Sequence, residues 1–136
     1  MSKLLLDTNV LIYSIDEGSK YFKKSQTILA EHSELYTTSK NISEYLAVIT
    51  RIPTNPLLLN DALLIVEDFT NMMTILYPNE ESFLIFQSLL KKYKPTGLKI
   101  HDYEILSIGI ANQITTIATF NEKDFREVKE INLYSI

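Results

Sequence analysis

The chain has 136 residues, a mass of 15.7 kDa, 46% hydrophobic residues and 22% charged residues. We therefore expect residues 1–136 to form one compact domain with a substantial core. The absence of cysteine excludes a disulfide framework, a thiolate metal site and a cysteine nucleophile. The net charge of −4 argues against strong nonspecific adsorption to nucleic acid but permits a local basic rim. Because the chain lacks a signal-peptide pattern and any long apolar run, we expect a cytoplasmic protein without a membrane segment.

The first half of the chain has the patterns of two strands and four helices. Short apolar or β-branched runs predict strands at residues 3–6 and 35–38. Helical spacing of apolar residues predicts helices at residues 10–14, 19–32, 39–51 and 57–71. Gly18 and Ser19 separate the first two helices, and Pro53 follows the third.

The second half continues with strands at residues 73–77, 115–119 and 131–134, helices at 80–93 and 101–113, and a turn at 121–126. Strands separated by helices imply right-handed crossovers and parallel pairing. The predicted fold class is therefore α/β, a three-layer α/β/α sandwich with a central, mainly parallel sheet.

Asp7 lies at the carboxyl end of the first predicted strand, followed by Thr8 and Asn9. Ligands of open parallel sheets bind outside the carboxyl ends of the strands, so this position is a candidate site. The alternative is structural, because Asp, Thr and Asn are also good N-caps for the next helix.

Three further acids have unusual positions. Glu44 lies in an apolar helix, where a charge needs a partner. Asp102 opens the helix 101–113 and shares a face with apolar residues, although it too could be an N-cap. Asp124 follows the strand 115–119, where a solvated turn residue is the alternative.

Parallel topology brings these four acids toward one edge of the sheet. Clustered buried carboxylates repel one another unless a cation lies among them. Oxygen ligands without cysteine or a suitably spaced histidine pair favour Mg²⁺ or Mn²⁺ over zinc. Such ions support phosphodiester hydrolysis, because they activate water and neutralise charge at the phosphate.

The motifs Leu-Leu-Asp7-Thr8-Asn9-Val-Leu-Ile, Ser43-Glu44, His101-Asp102 and Thr119-Phe-Asn121-x-x-Asp124-Phe125 occur in this order. Together they resemble the motifs of PIN-domain ribonucleases, and in particular the toxins of VapC-type toxin–antitoxin pairs. The resemblance extends from residue 4 to about residue 126. It implies a PIN-like α/β/α fold and Mg²⁺- or Mn²⁺-dependent endonucleolytic cleavage of RNA. It also implies an antitoxin partner.

By motif match, the resemblance assigns metal binding and catalysis to Asp7, Glu44, Asp102 and Asp124. Thr8 and Asn121 would give polar support, and Glu122 competes with Asp124 for the fourth acidic position. Our hypothesis is that Asp7 and Asp102 hold the metal, while Glu44 or Asp124 orients or deprotonates the attacking water.

Two other functions fit part of the pattern. An acid after the first strand also suits an aspartyl-phosphate phosphatase or receiver domain, but such phosphatases need a second acid where Asn9 stands. A PIN-like module with an incomplete metal site, which binds RNA or a protein partner without cleavage, is the stronger alternative. EDTA-sensitive cleavage of RNA would distinguish the enzyme from such a module.

Contacts with RNA would come from the rim of the site. Candidate phosphate-steering residues, or else ordinary solvated side chains, are Lys20, Lys23, Lys24, Lys40, Arg51, Lys91, Lys92, Lys94 and Lys99. Candidates for stacking on bases, of which at least half are expected in the core, are Tyr13, Tyr36, Tyr45 and Tyr103. His101 is expected at the helix start or at the substrate edge. We also expect a homodimer. Two apolar groups are expected in the core or, alternatively, at a dimer face or in a groove for a partner helix: Phe69, Met72 and Met73, and Phe83 and Phe86.

Overall fold

The structure, a computed structural model, describes residues 3–136. Its helices and strands, in chain order, are β1 (Leu4–Leu6), α1 (Thr8–Tyr13), α2 (Phe22–Glu31), β2 (Leu35–Thr38), α3 (Ser39–Ile49), α4 (Leu59–Met72), β3 (Thr74–Leu76), α5 (Glu80–Tyr93), α6 (Lys99–Ala111), β4 (Thr116–Ala118) and β5 (Asn132–Leu133). A short 3₁₀ turn, Glu122–Asp124, lies between β4 and β5.

The five strands form one parallel sheet in the order β3-β2-β1-β4-β5. The central strand β1 pairs with β2 on one side and with β4 on the other, where Leu6 lies opposite Ala118. After β1, the chain adds β2 and β3 on one side of it and then β4 and β5 on the other side. Such a reversal leaves a crevice at the carboxyl ends of the two strands, here β1 and β4.

Helices cover both faces of the sheet. Leu4 and Leu6 of β1 pack in one buried cluster with side chains of α1 to α4, whereas Leu5 packs in a second cluster with side chains of α5 and α6. This alternation follows from the two-residue period of a strand. The predicted α/β/α sandwich with a parallel sheet is confirmed. Among residues 3–136, no helix is long and apolar enough to cross a membrane.

Two helices that carry site residues start earlier than predicted. Helix α1 begins at Thr8 rather than residue 10, because Asp7 caps it and accepts a hydrogen bond from the Thr8 backbone. Helix α6 begins at Lys99 rather than residue 101, so Leu98 occupies the N-cap position. The alternative that Asp102 caps this helix is therefore wrong, and Asp102 lies in the first helical turn.

Two other predicted helices are too long. Helix α2 begins at Phe22 rather than residue 19, since Ser19 is part of a turn in which its hydroxyl accepts from the Tyr21 backbone at 3.0 Å. Helix α3 ends at Ile49 rather than residue 51, and the Thr50 hydroxyl donates a hydrogen bond to the Leu46 carbonyl oxygen.

Candidate metal and nuclease site

Asp7 is held at the carboxyl end of β1 by two hydrogen bonds. One carboxylate oxygen accepts from the Thr8 backbone at 2.9 Å, and the other accepts from the Thr119 hydroxyl at 2.8 Å. Its side chain is buried, with only 7% of the residue exposed. Burial raises the pKa of Asp7 from 3.8 to about 6, against the effect of the two hydrogen bonds. Asp7 therefore caps α1, and its second carboxylate oxygen also contacts Thr119 at the end of β4.

Glu44 reaches the same region from α3. Its carboxylate accepts a short hydrogen bond from the hydroxyl of Thr8, which is itself buried. The Thr8 hydroxyl in turn accepts from the Asn41 side chain at 2.9 Å, and Asn41 forms a capping box with Thr38 at the start of α3. This chain of contacts fixes α3 against the end of β1 and gives Glu44 the partner that its apolar helix requires.

Asp102 is half-buried in the first turn of α6. The pKa of its carboxyl is raised from 3.8 to about 7, mainly by burial and in addition by the negative charges of Asp7, Asp124 and Glu44, while Lys99 acts in the opposite direction. The three other acids thus contribute to the electrostatic environment of Asp102.

Asp124 ends the 3₁₀ turn that follows β4, where the Asn121 side chain donates a short hydrogen bond to its carboxylate. Its negative charge raises the pKa of both Asp7 and Asp102. It lies in the turn, as its position after β4 predicted, and is half-buried. Glu122, its competitor for the fourth position, is also half-buried and lines a neighbouring depression together with Lys123 and Arg126.

The fold therefore brings all four predicted acids into one electrostatic environment. Within residues 3–136, however, no three or more His, Cys, Asp or Glu side chains are arranged as a set that could hold a metal ion. Three of the carboxylates instead accept hydrogen bonds from neighbouring hydroxyl or amide groups, at Asp7, Glu44 and Asp124. The carboxylate oxygens nevertheless are the type of ligand atom that a hard dication prefers, because the cluster is oxygen-rich, acidic and partly buried.

Three of the basic side chains that were candidates for phosphate contacts form ion pairs with glutamates. Lys40 pairs with Glu104 at 3.4 Å, Lys92 with Glu130 at 2.7 Å, and Lys99 with Glu127 at 3.0 Å. These three lysines are therefore paired with carboxylates in the structure. Lys99 is nevertheless close enough to lower the pKa of Asp102.

Two of the four candidate stacking tyrosines cannot meet a base. Tyr45 and Tyr103 are fully buried, at 0% exposure each, because they pack in the two cores on either side of the sheet. Tyr13 and Tyr36 are half-buried. His101 is exposed on the first turn of α6, next to Asp102.

No role was assigned to Thr119 from the sequence. This residue directly follows β4, and its side chain contacts Asp7 at the end of β1. Its hydroxyl donates to Asp7 and accepts from the Asn9 side chain at 3.2 Å and from the Asn121 backbone at 3.0 Å. Thr119 stands in the Thr-Phe-Asn motif directly after β4, so its position at a strand end was the available signal. Asn41 was also missed, although the spacing of Thr38 and Asn41 is typical of a capping box.

Comparison with known proteins identifies the family and the fold of the chain. A family model of the PIN domain matches residues 4–131. No curated protein matches the chain in sequence. The solved structures that resemble it include VapBC2 from Rickettsia felis bound to a DNA fragment from their promoter, with 18% identity, 96% of each chain covered and a TM-score of 0.70.

Two further structures have the same fold. VapBC-1 from nontypeable Haemophilus influenzae is 21% identical, with 97% of this chain and 96% of that chain covered and a TM-score of 0.68. VapC20 from Mycobacterium tuberculosis, described as a sarcin-ricin loop cleaving toxin, is 9% identical, with 95% and 98% covered and a TM-score of 0.72. At these identities the structural matches show a shared fold, and the family model, which spans nearly the whole chain, shows the family. The chain belongs to the PIN domain family, and its fold is that of the VapC toxins.

Proposed function

We propose that this chain is a divalent-metal-dependent endoribonuclease that hydrolyses RNA phosphodiester bonds and acts as the toxin of a type II toxin–antitoxin pair. We further propose that residues 1–136 form a single PIN-like domain that functions in the cytoplasm. The observation that carries the proposal is the convergence of four acids beside the carboxyl ends of β1 and β4, where Asp7 accepts a hydrogen bond from Thr119. The charges of Glu44 and Asp124 raise the pKa of both Asp7 and Asp102, and the charge of Asp7 raises the pKa of Asp102.

Asp7 and Asp102 are the proposed metal ligands. Both have a raised pKa, so a cation beside them would relieve an unfavourable negative charge. A bound Mg²⁺ or Mn²⁺ would supply positive charge and Lewis acidity at the scissile phosphate. Asp124 completes the acidic set, and it is favoured over Glu122 because its charge acts on both Asp7 and Asp102.

Glu44 is the proposed base for the attacking water. The Thr8 hydroxyl binds its Oε1 atom and holds the carboxylate in one orientation, which leaves Oε2 free to accept a proton from water. Thr8 is fixed in turn by Asn41, so the orientation of Glu44 depends on residues of the helix caps. Asp124 is the alternative base, with Asn121 in the equivalent supporting role.

The proposal is tested by a cleavage assay on single-stranded RNA with Mn²⁺ and with excess EDTA. The parent should cut the RNA only with the metal, and Asp7→Asn and Asp102→Asn should reduce the rate by about 100-fold or more. Asp68→Asn removes one exposed carboxylate from α4 and should cleave at the parental rate. A parent that binds RNA but never cuts it would instead indicate a PIN-like module with an incomplete site.

The antitoxin and the homodimer rest on different support. The Rickettsia felis and Haemophilus influenzae structures are described as VapBC.

This chain also exposes large apolar side chains on α4 and α5, which suit protein contacts: Leu59, Leu63, Leu64, Phe83 and Leu84. Light scattering of the purified chain should give the mass of a dimer, and Leu63→Glu/Leu64→Glu or Phe83→Glu/Leu84→Glu should yield monomer. A monomeric parent would contradict the homodimer.

A further inference from the structure

A depression of about 500 Å³ lies beside the acidic site and carries the opposite charge. Its lining contains the three cationic side chains Lys24, Lys123 and Arg126, against one acidic side chain, Glu122. The three cations come from α2 and from the segment after β4, so the fold, and not a run of sequence, brings them together. The net charge of −4 permits a local positive surface of this kind, and the fold supplies one.

None of the three cations is neutralised by an ion pair. Among residues 3–136, the salt bridges involve Lys40, Lys92 and Lys99, and none involves a side chain of the depression. Lys24, Lys123 and Arg126 are all exposed, so they can rearrange around an anion with little loss of buried contact. Such side chains are suited to phosphate contacts, with Arg able to bind two phosphate oxygens at once.

The depression is joined to the acidic site by direct contacts. Thr119, Phe120 and Asn121 line it, and each of them is also tied to the site. The Thr119 hydroxyl donates to Asp7, the Phe120 backbone donates to the Asn9 side chain at 3.2 Å, and the Asn121 side chain donates to Asp124.

Aromatic packing holds this wall in place. The Phe120 ring stacks on Tyr21 with centroids 4.4 Å apart, and Tyr13 packs edge-on against Phe120 at 5.5 Å. Tyr21 immediately precedes α2, the helix that carries Lys24. The aromatic contacts therefore fix the position of the basic depression relative to the acids. Such a fixed spacing is required if one nucleic-acid strand is to bind at both places.

We infer that the depression lined by Lys24, Lys123 and Arg126 is a phosphate subsite that holds the RNA backbone on one side of the scissile bond. This inference rests on the proposed function, since it extends the same substrate path. The acidic site alone repels a polyanion until a cation binds, so the strand needs an attractive contact nearby. The depression provides such a contact, and it shares Thr119 and Asn121 with the acidic site.

The test compares two triple variants with the same net charge. Lys24→Ala/Lys123→Ala/Arg126→Ala removes the cations of the depression. The control, Lys23→Ala/Lys91→Ala/Lys129→Ala, removes three exposed lysines that do not line it. Fluorescence anisotropy with a labelled single-stranded RNA of about 12 nucleotides, in EDTA, measures binding without cleavage. Thermal unfolding of both variants verifies that they are folded.

We expect the depression variant to bind RNA about 10-fold more weakly than the control variant. The slope of log K against log salt should also become shallower by up to about 2, at roughly 0.7 for each lost phosphate contact on a single strand. Equal affinities and equal salt slopes in the two variants would overturn the inference. So would selective loss of binding to a polyglutamate peptide with unchanged RNA binding, because the depression would then serve an acidic protein segment.

This binding test separates the inference from the proposed function. A parent that binds RNA through the depression but never cleaves it would refute the nuclease and retain the subsite. A parent that cleaves RNA with Mn²⁺, and whose depression variant matches the control in both binding and cleavage, would retain the nuclease and refute the subsite.

Discussion

Removal of the Asp7 charge should stabilise the metal-free protein at alkaline pH. The pKa of Asp7 is raised from 3.8 to about 6, and at about 1.36 kcal/mol per pH unit the difference corresponds to about 3 kcal/mol. Because the folded protein prefers the protonated carboxyl, this cost is absent below pH 3.8, grows as the pH rises and is complete above about pH 6. Asn resembles the protonated form and is also a good N-cap for α1.

The Asp7→Asn variant should therefore gain up to about 3 kcal/mol at pH 8 and almost nothing at pH 4. For a domain of this size, the gain at pH 8 corresponds to an increase of roughly 10 °C in the melting temperature. Calorimetry in EDTA at both pH values measures the effect, with Asp68→Asn as the exposed control that should change little. A variant that is less stable than the parent at pH 8, or equally stabilised at both pH values, would refute the reasoning.

Three further substitutions test separate contacts. Glu44→Gln keeps an acceptor for the Thr8 hydroxyl but removes the base, so RNA cleavage in single-turnover kinetics should fall about 10²- to 10⁴-fold with unchanged RNA affinity. Thr119→Val removes a hydrogen bond that lowers the pKa of Asp7, so that pKa should rise further in an NMR titration, with Mn²⁺ affinity about 10- to 100-fold weaker. Gly109→Ala would place a methyl group 2.9 Å from the Ile114 carbonyl oxygen and 3.0 Å from Leu5, so urea unfolding should show a loss of about 1–3 kcal/mol. Parental values in any of these assays would contradict the corresponding contact.

The sequence predicted the layers of the fold because hydrophobic periodicity reports burial directly. The run Leu4–Leu6 is buried on both faces, as expected of a central parallel strand. Helix boundaries were less accurate, since caps such as Asp7 and Leu98 depend on local geometry that periodicity does not contain. Two of the four tyrosines near the acids, Tyr45 and Tyr103, are buried, in line with the expectation that at least half lie in the core. Proximity in sequence to an acid could not show which rings these would be.

Motif order predicted acids that the fold brings into one electrostatic environment, but it could not predict their hydrogen-bonding partners. Thr119 meets Asp7 only because β1 and β4 are neighbours in the sheet, a long-range pairing that no local pattern encodes. The basic depression has the same origin, since Lys24 and Arg126 are about a hundred residues apart in the chain and become neighbours only in the fold.

Calorimetric titration of Mn²⁺ into the EDTA-free parent at pH 8, beside Asp7→Asn, Asp102→Asn and Asp68→Asn, measures most directly whether these acids share a dication. We expect saturable binding by the parent and by Asp68→Asn, and at least about tenfold weaker binding by the two site variants. A parent that binds no Mn²⁺, or site variants that bind it as tightly as the parent, would contradict the account.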